Sequence, residues 1–146
     1  MSDRIDHAPQ PLLSAEPTDA ELTAYFDATA TQLRNGGYVP RSWEPEIQVA
    51  QRAYYAAAGF DVLRPVDEAT VRGEPAAHWY DVRRAVVAGK ATTGREAFEV
   101  AQEAGGVSRV WEWSTLGERW QRAWDAVPGA ILRVAAAREA YTPVPA

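Results

Sequence analysis

His78 and Asp81 stand three positions apart in "AAHWYDVRRAVV", a spacing that puts both side chains on one face of a helix and within reach of each other. An imidazole oriented by a carboxylate titrates near neutrality and can serve as a general base. Little else in the chain supports catalysis. None of the five serines (Ser2, Ser14, Ser42, Ser108, Ser114) lies in a GxSxG elbow. The run Gly89-Lys90-Ala91-Thr92-Thr93-Gly94 is not a phosphate loop, because Arg84 stands where the first glycine is needed and Ala91 where a magnesium-binding Ser or Thr is needed. A helix C-cap followed by a helix N-cap accounts for the same residues. Glu44 with Glu46, and Asp67 with Glu68, are acidic pairs that read as solvated faces. With no cysteine and only two histidines, the chain offers no thiolate, no disulfide and no sulfur-based zinc site. Neither a metal nor a cofactor is implied. His78 and Asp81 therefore read as a local helix-surface pair beside Trp79 and Tyr80, and a non-enzymatic role is expected. A small enzyme or ligand-binding module using this pair is the weaker alternative.

Tryptophan and arginine are the residue types that carry more weight. The chain has 28 alanines but only 27 Ile, Leu, Val and Phe residues in 146, so large aliphatic groups are scarce. Six tryptophans offset this, since each can bury about 150–250 Å². Trp120 and Trp124 share one helix face at i, i+4; Trp113 joins them if that helix extends back, and Trp111 lies just before it. Buried, these rings would form the core; partly exposed beside Arg119 and Arg122, they would anchor another protein, because Trp and Arg dominate interface hot spots. The expected contact surface is Trp111, Trp113, Trp120, Trp124, Arg119 and Arg122, and the expected partner is another protein or a second copy of the chain.

The elements that must hold these residues are mostly helices. Residues 1–17 contain Pro9, Pro11 and Pro17 and little periodicity, which predicts an extended arm. Residues 18–141 form one expected helical domain and 142–146 a short tail. Thr18 and Glu21 read as a capping box opening a helix with Leu22, Tyr25, Phe26, Thr29 and Leu33 on its buried stripe, ended by Gly36-Gly37. A second helix is predicted from near Ser42 or Trp43, with Pro45 in its first turn, to Gly59. A third runs from Pro75 to Gly89, and a fourth starts near Thr93 or Gly94 and ends at Gly105-Gly106. A fifth is expected from about Thr115 to Ala126, with Pro128 restarting a helix through Ile131, Leu132, Ala135 and Arg138. Phe60–Leu63 reads as a short strand or extended connector, and residues 107–114 fit either strand or helix. The expected fold is mostly α: five or six short helices around an aromatic core, with at most a minor two-stranded β element.

The segment "TTGREAFEVAQEAGGVSRVW", residues 92–111, resembles a helix-turn-helix. In that resemblance Ala101 allows close helix approach, Gly105 makes the turn and Ser108 caps a second helix that points Arg109 into a major groove. DNA contact through Arg95, Ser108 and Arg109 is what the resemblance implies. Charge bears on this alternative: of the net −5, residues 1–80 carry −6 and residues 81–146 carry +1. Four glutamates (Glu96, Glu99, Glu103, Glu112) lie in or beside the motif and oppose phosphate, which favours plain α–turn–α packing. No apolar run approaches the ~18–20 residues of a membrane span. The enrichment in Arg and Ala with a single lysine suggests GC-rich codons, pointing to an actinobacterium-like host or one of its phages. A cytoplasmic location is expected, or a virion-associated one if phage-encoded.

Overall fold

The computed structural model describes residues 13–39, 44–60, 77–104 and 112–142, and these are mostly helical. Five α-helices follow in order: α1 (Asp19–Arg34), α2 (Pro45–Ala57), α3 (Ala77–Val87), α4 (Gly94–Ala104) and α5 (Glu118–Ala140), with a 3₁₀ turn at Trp113–Thr115 before the last. There is no strand among the described residues. Residues 61–63 and 107–111, whose sequence is compatible with extended structure, lie outside them, as do Trp43 and Pro75.

Local chemistry explains most of the boundaries. At α1 the Glu21 amide donates to Thr18 Oγ1 at 3.1 Å while the Thr18 amide donates to Glu21 Oε1 at 3.2 Å, which completes the predicted capping box. Glu96 does the same work at α4, accepting from the Thr92 and Thr93 amides at 2.9 and 3.2 Å while its own amide donates to Thr93 Oγ1. Gly89, at φ 79°, ends α3. The stretch that superficially looks like a phosphate loop is thus a helix stop followed by a helix start.

Two expectations need correction. The first concerns Pro128, which lies inside a single 23-residue helix rather than at the start of a new one. Proline removes one backbone hydrogen bond and costs about 3 kcal/mol within a helix. Ala123, Trp124, Val127, Ile131 and Val134, all buried, form one stripe across it, and each large apolar side chain contributes about 1.5–3 kcal/mol on burial. The stripe outweighs the defect. The second concerns α1, whose predicted stripe fails at Leu33, 59% exposed. The apolar cluster that α1 joins holds Leu22, Tyr25 and Phe26; in the last turn Gln32 is the buried residue, and among the described residues no apolar cluster receives Leu33.

Two clusters share α2 and α5. The larger gathers Ile47, Trp79, Val82, Phe98, Trp124, Val127 and Ile131 from α2, α3, α4 and α5. The smaller joins Leu13, Leu22, Tyr25 and Phe26 to Val49 of α2 and Val134 of α5. Leu13 is buried and its amide donates to Gln48 Oε1 at 3.2 Å. The end of the expected arm, residues 13–17, is therefore packed against the helices. At the other end Tyr141 donates its hydroxyl to Asp27 Oδ1 at 2.6 Å and sets its ring on Phe26, tying the C-terminus of α5 back to α1.

Candidate interaction surface

Aromatic rings form a graded series from the core to the surface. At the inner end Trp79 of α3 and Trp124 of α5 stack with centroids 5.5 Å apart and planes at 21°; both are buried. Tyr54, in the last two turns of α2, meets Trp124 at 5.0 Å, Trp79 at 5.6 Å and Trp120 at 5.7 Å. Burial, with the neighbouring Tyr55, pushes the Tyr54 phenol up to about 12, so it stays protonated across the physiological range. Tyr55 and Phe60 stand at the outer end, 44% and 48% exposed, with rings 5.8 Å apart and nearly perpendicular. Phe60 in turn lies 6.2 Å from Trp120.

Arg119 binds this outer layer together. Its Nε donates to the Ala58 carbonyl at 2.6 Å, a group at the C-terminal end of α2 where a cation is favoured. The guanidinium carbon sits 4.9 Å from the Phe60 centroid and 5.5 Å from that of Trp120, within cation–π range. No hydrogen bond among the described residues uses its terminal nitrogens. Gly59, at φ 96°, makes the turn that brings Phe60 over Arg119.

The sequence-predicted residues divide accordingly. Trp120 is half-buried at the surface end of the ring series, and Arg119 and Arg122 are exposed on the first turns of α5. Trp124 is buried at 7% exposure and supplies core. Trp113 is not on the same helix, because Gly117 at φ 82° separates its 3₁₀ turn from α5; its ring packs on Phe98 at 5.8 Å instead. Trp111, Ser108 and Arg109 lie outside the described residues. Arg95 is exposed and lies 3.7 Å from Glu99.

Sequence reasoning missed Tyr55 and Phe60 as members of this surface. Their signal was present: adjacent tyrosines on a helix point about 100° apart and cannot both face one core, and an aromatic residue directly after a C-terminal glycine starts outside the helix.

His78 and Asp81 do occupy α3, but Asp81 Oδ1 accepts from Arg84 at 2.9 Å while the His78 ring leans on Trp79 at 5.4 Å. Burial lowers the His78 pKa below its ordinary 6.5, opposed by the Asp81 charge, so the imidazole is neutral at pH 7. Glu44 and Glu46 are taken by arginines: Arg83 lies 3.2 Å from Glu44 and 3.4 Å from Glu46, and Arg138 also pairs with Glu46. Asp67 and Glu68 lie outside the described residues. Among those described, no group of His, Cys, Asp and Glu could hold a metal ion, and no helix is long and apolar enough to cross a membrane. Compared with known protein families, with curated proteins and with solved structures, the chain finds no match.

Proposed function

We propose that this chain is a non-enzymatic protein-interaction module that docks on another protein through Tyr55, Phe60, Arg119 and Trp120. One observation carries the reading: the Phe60 ring, about half exposed, lies over an arginine held in place by Ala58 O, and the similarly exposed Tyr55 ring packs on Phe60. Aromatic and arginine side chains are the commonest hot-spot residues. Fixing them before contact lowers the ordering cost of association. Arg122 extends the same end of α5 with a second exposed cation. We place the module in the cytoplasm of a GC-rich bacterium or in the virion of a phage that infects one, on composition.

The test compares the wild-type chain with a Phe60→Ser/Arg119→Ala variant of unchanged circular dichroism. Light scattering and quantitative mass spectrometry of co-purified proteins are expected to reveal a self-associated or partner-bound wild-type species, reduced at least about tenfold in the variant. A strictly monomeric wild type that retains no protein, or a complex equally retained by the variant, would sink the reading.

A further inference from the structure

We draw no further inference here: the strongest candidate, the groove of about 660 Å³ between α2 and α5 floored by Ala53, Ala56, Ala57, Ala126, Gly129 and Ala130, is a stripe of small side chains, and nothing in the structure shows what covers it.

Discussion

Gly94 opens α4 directly against α5. A Cβ there would fall 2.5 Å from the Asp125 amide nitrogen and 2.6 Å from its Cα, besides striking the Asp125 carboxylate. Two of those atoms are backbone, so relief requires moving one helix off the other. Gly94→Ala is expected to destabilise the fold by about 2–3 kcal/mol, as overpacking of a tight contact does. Gly129 is the internal control. It lies in the interior of α5, where an added Cβ would meet nothing within 4 Å, and Gly129→Ala is expected to stabilise by about 0.5–1 kcal/mol through helix propensity and unfolded-chain entropy. Urea titration of both variants checks the opposite signs; a destabilising Gly129→Ala or a neutral Gly94→Ala would contradict the helix–helix geometry. Both glycines were visible in the sequence, and nothing in their immediate neighbours distinguished the crowded one from the open one.

Between helices the most consequential polar contact is at Glu46. This carboxylate opens α2, is almost fully buried, and receives Arg138 of α5 and Arg83 of α3, with Arg83 reaching Glu44 as well. Burial pushes its pKa up, but the hydrogen bonds and charge of Arg138, aided by Arg83, outweigh that and hold it below the ordinary 4.5. Its stabilising contribution is therefore complete above pH 4.5 and is lost as pH falls through the lowered folded value. Glu46→Ala is expected to cost about 2–3 kcal/mol at pH 7, less than a wholly buried pair because both arginine side chains remain partly solvated. The variant's stability should also fall less than wild type's as the buffer is taken below pH 4.5. Parallel pH profiles for the two proteins would remove Glu46 from the account. Sequence reading placed Glu44 and Glu46 on a solvated face because their partners lie 37 and 92 positions away for Glu46, beyond any local pattern.

At the scale of the whole molecule, α2 and α5 each contribute to both apolar clusters. Loss of either helix opens both cores at once. A single cooperative transition is expected, with tryptophan fluorescence, to which Trp79 and Trp124 of the larger cluster contribute, and far-UV circular dichroism giving the same urea midpoint. Separate midpoints would mean that α1 and residues 13–17 unfold as an independent unit. The aromatic surface belongs to this scale too, since Tyr55 and Phe60 follow α2 while Arg119 and Trp120 begin α5, and only the packing of the two helices brings them together.

Local chemistry written into the chain determined the helical class, the caps at Thr18 and Thr93, the stops at Gly36 and Gly89, and the dependence of the core on tryptophan. These depend on interactions within a few residues, whose spacing is visible along the sequence. Tertiary structure decided the rest. It carried α5 through Pro128, because a buried stripe spanning both sides outweighs one missing hydrogen bond. It sent Trp124 inward and left Trp120 near the surface, although both were read on one helical face. It also chose Tyr55 and Phe60 over Trp124 for exposure, since which ring remains at the surface depends on where the neighbouring helices end.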